Sequence, residues 1–311
     1  MNVLSAEKVN DLLTMDETLR SIEQFYLDEG QGSMIMPDRM HIEDGNNTSL
    51  LMPSYYGDYY ATKLVGVAPD NTSLGKPTIH GLMVLYSRQT MEPLLMCDAM
   101  PITALRTGAL GGLGMKYLAK EDAASLGIIG TGTQGWSHLQ AASAVRSIHS
   151  VKVYNRSQDK VAAFIERAKA TFPTLHIELA SPEEIVRNSD IIVTTTTSEK
   201  PVLPELDAAS YKGKQIVGVG SFRPAMQEIP DSVLTDADEV YVDAPSAFRE
   251  SGDMIRAQEL GVDPEQTMSL QEIIERNHRP LNPEEQSIIF KSVGAAIFDL
   301  VVTKALYEKI R

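Results

Sequence analysis

Cysteine is almost absent from this chain: Cys97 is the single one in 311 residues. That excludes an intramolecular disulfide framework and any cysteine-rich metal site, and it fits a reducing compartment. Beside the apolar Leu94 to Met96, a lone cysteine reads as a small core residue rather than a nucleophile. Long apolar runs are missing too. None approaches the roughly 18 residues of a membrane span, and the N-terminal residues lack the basic and apolar regions of a secretory signal. The expectation is a cytoplasmic protein with no membrane partner and no metal. Positive charge is scarce, with 28 lysines and arginines against 42 acids, a net charge of −14 and a pI near 4.9. This argues against nucleic acid as a partner. If such a protein binds anions, it must concentrate its few cations locally, so their positions carry information. No internal repeat, low-complexity tract or flexible linker is visible.

With 43% hydrophobic residues, the chain can bury one large or two ordinary cores, and two domains of unequal role are expected. The most informative stretch is Leu126 to Gly135, LGIIGTGTQG. It reads as a short apolar strand, a turn and a helix start, the arrangement that seats a dinucleotide pyrophosphate. Gly130 permits the tight turn, Gly132 lets the backbone approach phosphate, and Gly135 allows close packing of helix on strand. The free N–H groups and positive dipole end of the helix supply the anion site. Gly130, Gly132, Thr133, Gln134 and Gly135 are the candidate contacts.

Upstream, Thr14 and Glu17 have capping-box spacing, and Leu19, Ile22 and Tyr26 continue a helix that Gly30 and Gly32 end. From Met34 to Tyr86, short alternating runs at 49–52, 60–67 and 79–86 predict an antiparallel sheet. Turn-forming clusters separate them at 44–47, 57–58 and 69–73. In the middle run, Lys63, Val65 and Val67 share one face, so Lys63 points either into an apolar interior or across a sheet edge to water. Next, Pro101 suits a first helical position, and the Gly and Ala that follow predict that another backbone or a flat ligand lies close. Arg106 has two readings there, a carboxylate clamp or a surface salt bridge.

From Ser125, strands near 126–130, 150–155, 177, 190–196, 215–220 and 239–243 interleave with helices at 134–146, 157–170 and from Ser181-Pro182. This predicts a Rossmann-type, doubly wound parallel sheet. At the end of its second strand, an acid would accept hydrogen bonds from the adenosine ribose, whereas a 2′-phosphate needs donors. The sequence has Asn155-Arg156-Ser157, which predicts NADPH with NADH as the weaker alternative, or else an Arg156 that only faces solvent. Residues 250–283 read as irregular apart from a helical piece at 270–275, and Ser287 to Ile310 reads as one terminal helix.

PDR at 37–39, ATKLVG at 61–66, ITALRTGA at 102–109, GTGTQG, VYNRS, ESGD at 250–253 and FKSVG at 290–294 occur in one order along nearly the whole chain. Together they resemble the ornithine cyclodeaminase and mu-crystallin family. The resemblance implies a smaller α+β domain for substrate binding and dimerisation, residues 1–120 with 294–311, and an NADP-binding Rossmann domain, residues 121–293. It implies a homodimer acting on a small cyclic imino or amino acid. By the same resemblance Arg39 and Arg106 bind the substrate carboxylate, and Lys63 lies by the reacting nitrogen as the catalytic residue. His80 and Ser292 line the nicotinamide side, and Arg106, Thr196, Val219 and Arg223 are further cofactor contacts.

One position departs from the pattern. Cyclodeaminases and related alanine dehydrogenases carry an aspartate after the VG-containing strand, where this chain has Phe222. A phenyl ring takes no proton and holds no ammonium, which disfavours deamination; Phe222 is expected instead to pack against the ring carbons of the substrate. The resemblance therefore points to a ketimine or 1-pyrroline-2-carboxylate reductase. The alternatives are another family enzyme, a cyclodeaminase or amino-acid dehydrogenase, and a cofactor-bound protein of crystallin type.

Overall fold

In the computed structural model, which describes residues 1–28 and 34–311, the chain divides into two compact units. One is Met1–Arg106 with Ala295–Arg311, the other Thr107–Gly294. Each is built on its own sheet.

The first unit opens with β1 (Asn2–Leu4), α1 (Ala6–Leu12) and α2 (Met15–Leu27). The expected capping box is present: the Thr14 hydroxyl accepts the Glu17 N–H at 3.3 Å, and the Glu17 carboxylate accepts the Thr14 N–H at 2.9 Å. Two N-terminal donors of α2 are thereby paired by side chains. Gly30 and Gly32, expected to end this helix, lie outside the described residues. Then come β2 (Met40–Asp44), β3 (Asn47–Tyr56), β4 (Tyr59–Val67), β5 (Ile79–Ser87) and β6 (Pro93–Asp98). They form an antiparallel array in the order β6-β5-β4-β3-β2, with β1 added in parallel beside β6. The predicted sheet is therefore present and wider than predicted. Its hairpin turns at Gly45-Asn46 and Gly57-Asp58 place the glycine first at φ 58° and 54°, a backbone that glycine adopts without steric cost.

α3 (Ala99–Leu118) follows, and the division between the units falls within it. Two of its glycines, Gly111 and Gly114, make room for side chains of the second unit. A Cβ on Gly111 would stand 2.4 Å from His138 Nε2, and one on Gly114 2.5 Å from the Phe290 ring. His138 Nδ1 lies 2.7 Å from the Gln134 carbonyl oxygen, and burial pushes this imidazole down to about 4, so it sits neutral in the core.

The second unit runs β7 (Ser125–Ile129), α4 (Thr133–Val145), β8 (Ser150–Tyr154), α5 (Gln158–Thr171), β9 (His176–Leu179), α6 (Pro182–Asn188) and β10 (Ile191–Thr194). It continues through β11 (Lys214–Gly218), α7 (Asp231–Thr235), β12 (Glu239–Val242), α8 (Ala247–Glu250), α9 (Gly252–Glu259), α10 (Leu270–Glu275) and β13 (Ser287–Lys291). All its strand pairs are parallel, in the order β12-β13-β11-β10-β7-β8-β9. The direction of winding reverses between β7 and β10, which is the switch point where such sheets bind ligands.

Two expectations are corrected here. Residues 287–291 are not the start of the terminal helix but the strand β13, inserted between β11 and β12 with all five residues buried. A parallel strand buried on both faces shows no alternation, so Ile288-Ile289-Phe290 carries the same pattern as a buried helix. Residues 250–283 also hold α9 in addition to the predicted α10, and Ser251 gives α9 no side-chain cap to announce it. The chain then returns to the first unit as α11 (Ala296–Ile310), which packs on β3, β4, β5 and α2. Phe25 of α2 meets Tyr56 edge-on at 5.0 Å and Phe298 of α11 at 6.2 Å.

Candidate active site

In the first unit the site starts from β4. This strand runs between β3 and β5, so Lys63 has no sheet edge across which to reach water. The two-residue period sends Ala61 and Lys63 to the buried face and leaves Leu64 and Gly66 exposed. The register sets Lys63 in one row with Met52, Met83 and Cys97, all of them buried. Lys63 itself is 3% exposed. Losing hydration among two thioethers and a thiol pushes its ammonium below the ordinary lysine range. The thiol is no nucleophile, because burial and neighbouring Asp98 push it up to about 12.

The counter-charge comes from α11. Asp299 Oδ2 lies 2.7 Å from Lys63 Nζ, and Asp299 Oδ1 accepts from Arg106 Nε at 3.2 Å. Both partners are buried, so the surface reading of Arg106 does not hold. Asp299 favours the Lys63 ammonium, whereas the charges of Arg106 and of half-buried Arg39, just before β2, oppose it. One carboxylate serving two buried cations leaves a surplus of positive charge, the electrostatics of an anion site. His80 does not join this group: it pairs with Gly66 and stands exposed on the opposite face of the sheet.

In the second unit, the glycine turn has the shape expected for a pyrophosphate. Gly130 adopts φ 111°, and a Cβ on Gly135 would stand 2.1 Å from the Gly130 oxygen. A Cβ on Gly132, by contrast, would meet nothing within 4 Å, so the turn is open where a phosphate must approach. Gly132 is also the N-cap of α4, with no side-chain cap and no acid in the first turn, where Thr133 and Gln134 follow. The first N–H groups of α4 thus have no side-chain cap competing with an anion.

The other residues selected from the sequence in this unit follow the carboxyl ends of its strands. Beyond β8, half-buried Asn155 donates to the Ser157 carbonyl at 3.2 Å, and Arg156 and Ser157 are exposed. Beyond β10, Thr196 gives both its N–H and its hydroxyl to Glu228. Val219, next after β11, is buried, while Phe222 is 44% exposed with the Arg223 guanidinium 5.6 Å from its ring centre. Beyond β13, the Ser292 hydroxyl donates to Asp243 at 2.8 Å. Sequence reasoning missed Asp299, Glu228 and Asp253 as parts of this machinery. For Asp299 one signal was available: a single acid inside the apolar run Ile297 to Val302 of a helix.

A cation-rich buried cluster in the first unit, and a Rossmann-type sheet with an uncapped glycine turn in the second, define a two-unit α/β protein of dinucleotide-binding class. The chain belongs to the ornithine cyclodeaminase/mu-crystallin family, whose model matches residues 1–311. It is similar to a Delta(1)-pyrroline-2-carboxylate reductase of Bacillus cereus, 37% identical over 316 residues that cover 99% of this chain and 96% of that one. Among solved structures, it is similar to the Thermococcus litoralis Delta(1)-pyrroline-2-carboxylate reductase in complex with NADH and L-proline. That match has a TM-score of 0.90 and 31% identity over 99% of this chain and 97% of that one. An archaeal alanine dehydrogenase dimer with bound NAD matches with a TM-score of 0.89 and 30% identity over 99% and 95%.

Proposed function

We propose that this protein reduces the C=N bond of a cyclic imino acid, 1-pyrroline-2-carboxylate to proline or 1-piperideine-2-carboxylate to pipecolate. The observation that carries this reading is the buried Lys63–Asp299–Arg106 cluster, in which one acid faces two cations. The glycine turn at the start of α4 would hold a reduced nicotinamide dinucleotide, which when bound would supply the hydride for the imine carbon. Arg39 and Arg106 hold the substrate carboxylate and so fix the position of the carbon next to it. Lys63 gives a proton to the imine nitrogen, making the carbon a better hydride acceptor. Burial lowers its affinity for that proton, which makes it a stronger acid than a solvated lysine. Asp299 orients the lysine and keeps it charged.

The family relatives named as Delta(1)-pyrroline-2-carboxylate reductases support this reading, as does Phe222, which offers no acid to serve a substrate amine. Asn155-Arg156-Ser157 supports NADPH as the preferred donor, since the segment holds donors and no carboxylate. A homodimer is supported by the exposed face of the first sheet, where Met40, Leu64 and Leu82 lie in one row. Light scattering is expected to give about twice the 34.1 kDa chain mass. The function is tested by following NADPH and NADH oxidation with pyrroline and piperideine carboxylates, beside NAD(P)+ reduction with alanine and ammonia release from ornithine. Oxidation with an imino acid is the expected result. Turnover confined to alanine or ornithine overturns the reading.

A further inference from the structure

ESGD and FKSVG, quoted for the resemblance, meet inside the second unit. Asp253 of the first and Lys291 of the second are both fully buried, with Lys291 Nζ 3.1 Å from Asp253 Oδ2. The other oxygen, Asp253 Oδ1, accepts the backbone N–H groups of Glu228 at 2.8 Å and Ile229 at 3.1 Å. Asp253 therefore fixes the backbone on which Glu228 stands.

Glu228 is also fully buried. Its Oε1 accepts from the Thr196 N–H at 2.6 Å and the Thr196 hydroxyl at 2.7 Å. Its Oε2 accepts from the Gly220 N–H at 2.7 Å and the Thr194 hydroxyl at 2.9 Å. A carboxylate offers about four acceptor sites, and four donors fill them. A buried carboxyl is tolerated only when it is satisfied in this way. The position of the donors gives it a use. Thr194 and Thr196 are the end of β10 and the residue two beyond it, and Gly220 is two beyond the end of β11. One carboxylate thus ties the loop after β10 to the loop after β11. The fit leaves no slack, since a Cβ on Gly220 would stand 1.9 Å from the Thr196 carbonyl oxygen. Ser221 completes the link by donating to the Met226 carbonyl at 2.7 Å and accepting the Asp253 N–H at 3.1 Å.

We infer that Glu228, braced by Asp253 and Lys291, is the positioning residue for the nicotinamide end of the dinucleotide and leaves its adenosine end untouched. The inference rests on the reading that this unit binds a dinucleotide. In a doubly wound sheet the ligand lies across the carboxyl ends of the strands. The glycine turn after β7 and Asn155-Arg156 after β8 serve the pyrophosphate and adenosine. The loops after β10 and β11, on the other side of the switch point, face the remaining part. Among the described residues, the Glu228 carboxylate bonds to the end of β10 and to the latter loops alone.

The test is Glu228→Gln, whose amide brings N–H groups against N–H and O–H donors. Binding is measured with NADPH or NADH, whichever the wild type prefers, and with the nicotinamide-free counterpart, 2′-phospho-ADP-ribose or ADP-ribose. The dinucleotide Kd is expected to rise about tenfold, the scale of one charge-assisted hydrogen bond, and that of the nicotinamide-free ligand to stay within about twofold. Thr194→Val removes one donor without changing shape, and it is expected to move the same ratio by a smaller factor should the first variant not fold. Equal weakening of both ligands, or no change in either, in the variant that folds overturns the inference alone. A wild type that binds neither dinucleotide overturns the functional reading and the inference with it.

Discussion

The two units each bury a cluster of charges, and the clusters are built to opposite balance. In the first, one acid, Asp299, is shared by Lys63 and Arg106, with Arg39 adding further positive charge. In the second, one cation, Lys291, pairs with Asp253 and also attracts Glu228, whose oxygens are filled by four neutral donors. The first cluster is short of negative charge; the second carries one acid more than it has cations, and burial, opposed by Lys291, raises the Glu228 pKa, but four neutral donors fill that carboxylate's acceptor sites. Burying unbalanced charge is costly, and a fold retains it where a ligand completes the balance. An anionic substrate is what the first cluster lacks; in the second, hydrogen bonds from the chain itself occupy the surplus acid, which acts as a brace. The contrast assigns chemistry to one unit and positioning to the other.

The most severe way to break that contrast is Lys63→Met, which keeps the shape of the row Met52, Met83, Cys97 and removes the proton donor. Loss of a general acid costs about 10²- to 10⁴-fold, so kcat with the imino acid is expected to fall by at least about a hundredfold while NADPH binding is retained. A variant that turns over as the wild type does places the proton source elsewhere.

Asp299→Asn sharpens the same comparison through pH. Lys63 acts as an acid only while protonated, so activity holds at low pH and is lost as pH rises through its depressed pKa. The alkaline limb of kcat/KM therefore lies below the ordinary lysine value of about 10.4. Because Asp299 favours the ammonium, its neutralisation is expected to move that limb to still lower pH. The variant also leaves two buried cations uncompensated, a loss on the order of 3 kcal/mol, so the profile is read on protein shown to be folded. An unmoved limb identifies another group as the titrating acid.

How far the sequence alone reaches differs between the two clusters in the same way. Local patterns were legible: the capping box at Thr14 and Glu17, the two-residue period around Lys63, and the glycine turn at the first strand-to-helix junction of an alternating α/β stretch. Lys63 and Arg106 drew notice in an acidic chain but kept two readings each, and it was the family resemblance that grouped them with Arg39. Their acid drew no notice, since Asp299 lies 236 residues from Lys63 and no spacing rule joins them. Likewise Glu228 and Asp253 acquire their meaning from strands whose order in the sheet is not their order in the chain. The strand β13 was hidden for a third reason, because full burial erases the alternation that marks a strand.

If the second unit only positions, its remaining influence is over which dinucleotide it holds, and Arg156 is the place to look. It is exposed beyond the end of β8, free of the burial that fixes Arg106, and the segment 155–157 contains no acid to favour an unphosphorylated ribose. A guanidinium contact with a phosphate at a solvated site is worth about 1.5–3 kcal/mol at most. Arg156→Ala is therefore expected to raise the KM for NADPH about tenfold and that for NADH less than about twofold. kcat is expected to stay unchanged, because Lys63 and its partners lie in the other unit. Equal effects on both dinucleotides remove the case for NADPH, and a fall in kcat removes the division between a unit that reacts and a unit that positions.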